Sequence, residues 1–173
     1  MRQLIIILLF LYVATTAIAQ NTLLDSARGK ESFAVAELGG AAGFSINNRS
    51  YNFGPSVAIE ISPIENWLEL ELGISPAFGA NSNQLAADFL IKKPWTLSPK
   101  AEFMFGAGPV WTHSNDQGVI TNDVGGELAL DFMFWPNKKH KFGWYAEPEY
   151  DQSFRKGHEQ SFGISGGLLV AIP

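Results

Sequence analysis

Alternation with a period of two residues runs through most of this chain and leaves few folds open to it. In Ser56-Val57-Ala58-Ile59-Glu60-Ile61-Ser62, an extended backbone puts Val57, Ile59 and Ile61 on one side and Ser56, Glu60 and Ser62 on the other. Leu68-Glu69-Leu70-Glu71-Leu72-Gly73-Ile74-Ser75 repeats the rule; wound as a helix, it would scatter its carboxylates among its leucines. The pattern recurs with Leu85, Ala87, Phe89 and Ile91 against Gln84, Asp88 and Lys92, and with Ala101, Phe103, Phe105 and Ala107 against Lys100, Glu102, Gly106 and Gly108. Val124, Leu128, Leu130, Phe132 and Phe134 then stand against Gly125, Glu127 and Asp131, and Phe142, Trp144 and Ala146 against Gly143, Tyr145 and Glu147. Phe162, Ile164, Leu168, Val170 and Ile172 close the series against Ser161, Gly163, Ser165 and Gly167. An eighth, less sharply two-faced segment lies at 32–44, where Glu37 is the one charge and Gly39-Gly40 weakens the strand.

The N-terminus follows a different rule. Arg2 precedes the apolar run 4–13, and Ala17-Ile18-Ala19 supplies small residues at the positions a signal peptidase reads. Thr15-Thr16 breaks the run short of the roughly 20 residues a membrane helix needs. The expectation is a signal peptide over 1–19, cleaved before Gln20, then an extension over 20–30 and a single β domain over 31–173. No Cys follows the cleavage site, so a lipoprotein anchor is excluded. Beyond residue 19 no apolar run reaches helix-spanning length.

Composition narrows the chemistry. With 12 basic against 17 acidic residues the chain is a poor partner for nucleic acid, and 46% hydrophobic content excludes a solvating tail. The absence of Cys removes disulfides, thiolate metal sites and thiol nucleophiles. No Walker loop, dinucleotide fingerprint, HExxH or EF-hand spacing occurs, so neither a cofactor nor a dedicated metal motif is predicted.

Alternation alone does not say which face meets the core, since a soluble barrel or sandwich alternates as well. Three features favour apolar-outward. The apolar face carries Phe89, Phe103, Phe105, Phe132, Phe134, Phe142, Trp144 and Phe162, more bulk than a narrow lumen holds, while the other face mixes Gly, Ser and Ala with charges. Trp67, Trp95, Trp111 and Trp135 fall at segment ends, where indoles are suited to a membrane interface. Segments of about 9 to 11 residues match a tilted membrane strand, and closure satisfies every backbone group that lipid leaves without a partner. Short Pro-bearing connections at 63–66, 94–99 and 136–140 alternate with mostly longer polar ones at 45–53, 78–83, 112–121 and 152–159, as membrane barrels alternate tight periplasmic turns with longer outer loops. Pro109 and Pro148 inside strands predict bulges or early strand ends.

Through its signal peptide, eight period-two segments and aromatic segment ends, the chain resembles the small eight-stranded outer-membrane barrels of Gram-negative bacteria. The resemblance covers nearly the whole chain after residue 19 and implies an all-β, antiparallel, up-and-down transmembrane barrel of the cell envelope, porin-like in architecture. It also implies outer-membrane lipid and the outer-membrane assembly machinery as partners, and a monomer. Those barrels usually finish on an aromatic residue read during insertion; this chain ends Ala171-Ile172-Pro173, a departure that bears on assembly by that route.

Within such a barrel the inward acids are Glu37, Glu60, Glu69, Glu71, Asp88, Glu102, Glu127, Asp131, Glu147 and Glu149, against Lys92 and Lys100. They cannot all stay ionised without partners. Some are expected to hold protons, bind water, or pair with Arg49, Arg155 and Lys156 reaching in from loops. A cation-attracting pore is one reading and a polar filling the favoured one, because eight-stranded barrels are filled by side chains.

Two groupings bear on catalysis or metal. His113 and Ser114, with Glu127 downstream, are the residue types of a Ser/His/acid hydrolase. They are similar in part to the lipid A deacylase barrels, whose His and Ser stand two apart; here they are adjacent and would face opposite ways, so a polar outer loop is favoured. Glu147, Glu149 and Asp151 could hold a divalent cation, but are expected half in the lumen and half in a loop. His140 and His158 are expected in solvated turns, the former in a Lys-rich cluster that could touch anionic headgroups. The sequence predicts a non-catalytic barrel with a structural or surface-interaction role and contact surfaces at 45–53, 112–121 and 152–159. A lipid A-modifying hydrolase and a soluble periplasmic barrel binding an apolar ligand are the alternatives.

Overall fold

The computed structural model describes residues 34–79, 82–116, 118–136 and 140–172. The expected signal peptide and the extension at 20–30 lie outside the described residues. Eight strands follow one another: β1 Ala34–Ser45, β2 Ser50–Ile64, β3 Leu68–Gly79, β4 Ser82–Ser98, β5 Ala101–Asp116, β6 Val119–Phe134, β7 Phe142–Ser153 and β8 Gln160–Ile172. Each pairs antiparallel with its neighbours in sequence, and β1 pairs with β8, so the sheet closes on itself. Closure leaves no edge strand with unpaired backbone.

Face assignment follows directly from the period. In β3, Glu69, Glu71 and Gly73 are buried while Leu72 and Ile74 are exposed. In β6, Glu127, Ala129, Asp131 and Met133 are buried while Leu128, Leu130 and Phe134 are exposed. Apolar side chains therefore coat the outside and acids line the inside, opposite to a soluble barrel.

At 12 to 17 residues the strands exceed the expected 9 to 11, and the excess corrects the loop assignment. Residues 112–116 and 119–121 belong to strands, not to a loop: β5 and β6 stay paired from Thr112↔Asp123 to Asp116↔Val119. Likewise β2 begins at Ser50, inside the segment expected as an outer loop. Polar residues there pair their backbones in a continuation of the wall, β5 with both β4 and β6 and β2 with both β1 and β3, a better outcome for N–H and C=O groups than an open loop. Of the expected outer loops, 152–159 keeps most of its extent, from Phe154 to Glu159.

The prolines also behave differently from expectation. Pro109 and Pro148 sit within β5 and β7, and the registers on either side continue without a shift. Lacking an N–H, each occupies a place where the ladder to one neighbour is interrupted: Pro109 where β4 and β5 pair up to Asp88↔Val110 and resume at Ile91↔Ala107, Pro148 between Ala129↔Glu149 and Phe132↔Ala146. True irregularities occur instead between Ile61 and Ile64 and between Thr96 and Ser98, at the end of the barrel that carries Ala34 and Ile172. We call this the terminal end and the opposite one the far end.

Candidate functional site

The interior is built in layers. At the terminal end Met104, Met133, Trp135, Tyr145 and Leu169 form an apolar plug, with Val35 packed against it. Trp135 stacks on His140 with ring centroids 4.9 Å apart and planes 4° from parallel. Its Nε1 donates to Glu102 Oε2 at 3.3 Å, and His140 Nε2 lies 3.1 Å from the Pro99 carbonyl oxygen. Two expectations fail here. Trp135 is 2% exposed and faces inward, not toward a membrane interface, and His140 is buried beneath it, not solvated in a turn. The strand period contained the signal: Phe134 is outward, so the next residue must turn in.

Above the plug lies a charged layer. Lys92, 1% exposed, is the one buried lysine or arginine among the described residues. Its stem crosses Gly106, where a Cβ would lie 2.8 Å from Lys92 Cγ. Its ammonium is in ion-pair contact with Glu71 and Glu147, and lies 3.3 Å from Asp131 Oδ2 and 3.6 Å from Glu60 Oε1. Glu37 belongs to the same layer and is fully buried. Tyr145 and Ser56 hydroxyls meet at 3.1 Å beside it.

Toward the far end come Asp88, Glu127, Glu149 and Asp151. Asp88 lies over Gly73, where a Cβ would come within 2.5 Å of its Oδ1. Ser161 Oγ donates to Asp151 Oδ2 at 3.2 Å. Because Glu147, Glu149 and Asp151 alternate within β7, all three face inward, and none is in a loop. The eight sequence-selected lumenal acids, Glu60, Glu69, Glu71, Asp88, Glu102, Glu127, Asp131 and Glu147, thus all occupy the inner wall, seven of them buried and Asp88 half-buried. Their expected partners do not. Arg49, Arg155 and Lys156 are exposed in far-end turns and Lys100 is exposed at the terminal end. A long cation that reached back into the lumen would give up its hydration for a site already facing Lys92.

The outer wall is apolar around the whole circumference, with Leu38, Ile59, Leu72, Phe89, Phe105, Leu130, Trp144 and Leu168 contributed by successive strands and all exposed. A soluble monomer rarely exposes an apolar patch above a few hundred Å². Trp67, 60% exposed, is at the terminal rim, where Trp95 stacks on Phe103 at 5.6 Å and receives Lys93 Nζ at 5.9 Å. Trp111 is exposed toward the far end and stacks on His113 at 6.1 Å. Trp144, outward and exposed, is an aromatic the interface reading omitted.

The hydrolase grouping does not assemble. His113 is on the outer face with Trp111, and its Nδ1 is 2.9 Å from Asn122 Oδ1. Ser114 takes the opposite face. Glu127 pairs in register with Gly108, six residues down the strand from Ser114, a separation of about 20 Å at the rise of a strand.

No protein-family model matches the chain, and no curated protein is significantly similar to it in sequence. Solved structures do match. Neisserial surface protein A superposes with a TM-score of 0.68 at 10% identity, over 83% of this chain and 100% of that one. The N-terminal β-barrel domain of Pseudomonas aeruginosa OprF gives 0.58 at 10% identity, over 81% and 99%. Ail, the attachment invasion locus protein of Yersinia pestis, crystallised with the heparin analogue sucrose octasulfate, gives 0.56 at 8% identity, over 81% and 99%. With so little sequence in common, what they share is architecture: this chain has the closed, eight-stranded antiparallel fold of the small outer-membrane β-barrels.

Proposed function

We propose that this protein is an integral outer-membrane β-barrel, delivered by a cleaved signal peptide, with a structural or surface-interaction role and no catalysis. The observation that carries the reading is the unbroken apolar belt on all eight strands around a charged, filled interior. Lipid is the solvent in which that arrangement is favourable, and a closed ladder is one of the two backbone solutions lipid permits. The described interior is lined by acids around Lys92 above a packed apolar plug, which disfavours the soluble binding barrel, and the separation of His113, Ser114 and Glu127 disfavours the hydrolase. The barrel functions as a monomer, contacts outer-membrane lipid through its belt and depends on the outer-membrane assembly machinery for insertion. Its far-end hairpins, with the 154–159 connection the longest described, are the surface offered to partners.

Cell fractionation followed by gel electrophoresis with and without boiling tests this. The protein should require detergent for extraction, and its folded form should migrate differently from the boiled form. Release into the periplasmic fraction without detergent would overturn the assignment. In the same cells, His113→Ala should leave lipid A acylation unchanged.

A further inference from the structure

The charged layer holds five carboxylates, Glu37, Glu60, Glu71, Asp131 and Glu147, around the single ammonium of Lys92. Within it, Glu37, Glu71 and Asp131 each bring one carboxylate oxygen to within 4.8 Å of the other two. An acidic cluster on a surface is common and means little, but these three side chains are sealed from solvent. Lys92 faces the other four acids, and Glu37 forms no ion pair among the described residues. Asp131 meets Lys92 through Oδ2 alone. Its Oδ1, and Glu37 Oε1, are buried and accept no hydrogen bond. An ionised oxygen left in that condition is strongly unfavourable, so the layer calls for either protons or a further cation.

We propose that Glu37, Glu71 and Asp131 bind one hard divalent cation inside the barrel, of the calcium class. Carboxylate oxygens without nitrogen or sulfur select hard cations. Three carboxylate oxygens that all lie within 4.8 Å of one another can converge on one ion, and the flexible shell of Ca²⁺ accepts such a set more readily than the near-ideal octahedron Mg²⁺ demands. Lys92, in contact with Glu71 and Glu147 and close to Asp131 and Glu60, offsets part of the remaining charge. Asp88, Glu127 and Glu149 continue the acidic wall toward the far end.

The test is to refold the full chain into detergent micelles with either Ca²⁺ or EDTA, remove free ions by gel filtration, and measure metal content and thermal unfolding. One Ca²⁺ per barrel and a higher unfolding temperature in Ca²⁺ are expected. Glu37→Gln and Asp131→Asn should each lower calcium affinity at least tenfold and abolish the calcium-dependent rise, while their unfolding temperature in EDTA equals or exceeds that of the parent. Glu149→Gln, outside the three ligands, should keep the ion. A folded parent barrel that retains no Ca²⁺ overturns the proposal and leaves protons as what neutralises the layer. Calcium retained by both Gln and Asn variants, or lost in Glu149→Gln alone, overturns the location. If neither variant folds, the calcium content of the parent decides.

Discussion

Lys92 occupies a position that would be a severe defect in most interiors: an ammonium sealed from solvent, deep in a membrane-type barrel. Four carboxylates make it tolerable, and it makes them tolerable in turn. Lys92→Met keeps the stem that crosses Gly106 and removes only the charge. Breaking a buried pair leaves the other partner uncompensated, which destabilises by about 3–5 kcal/mol. We expect a correspondingly lower urea midpoint for the variant refolded into lipid vesicles; an unchanged midpoint would mean that the acids around it are already neutral. At this same scale the inward set was legible from strand parity, since every selected acid falls on the inner wall. Partner choice was not legible. Arg49, Arg155 and Lys156 look available in sequence, but they are exposed in turns at the far end, and nothing local in the chain encodes that distance.

Among the elements, β1 and β8 form the seam, and small residues dominate it on both faces. Gly39 pairs with Gly167 across the closure. A Cβ on Gly39 would strike the Gly166 carbonyl oxygen and come 2.9 Å from the Tyr145 hydroxyl, whereas a Cβ on neighbouring Gly40 meets nothing closer than 3.4 Å. Gly39→Ala should therefore destabilise the barrel by about 1–3 kcal/mol, as overpacking does, and reduce the fraction that reaches the heat-modifiable form. Gly40→Ala should leave that fraction unchanged. Equal behaviour of the two would show that the seam is looser than this geometry requires. The weak alternation of β1, which made it the least distinct segment in sequence, is the trace of this role: a strand selected for close approach has little room for large side chains on either face.

For the molecule as a whole, the inversion of inside and outside is what sets this fold apart from a soluble barrel of equal length. Leu72, 53% exposed, faces outward midway along β3 in a row with Ile59 and Phe89, and Leu97, also exposed, lies near the terminal rim. If lipid surrounds the wall, Leu72→Arg should destabilise by about 2–4 kcal/mol and Leu97→Arg by at most about 1 kcal/mol, because the penalty falls with distance from the bilayer midplane. Unfolding titrations in vesicles measure both. In a soluble protein an exposed arginine would be nearly neutral at either place, so equal and small effects would contradict the membrane reading.

By itself the sequence determined the strand number, the two-faced character of the strands and the membership of each face, because a period of two is written residue by residue and survives without tertiary context. Only the tertiary structure decided where the strands stop, which cation meets which acid, and that His140 stacks on the inward Trp135 at one end. Those outcomes depend on register and closure, which bring together residues such as Lys92, Glu37 and Asp131 from strands far apart in the chain, and no local pattern specifies such meetings.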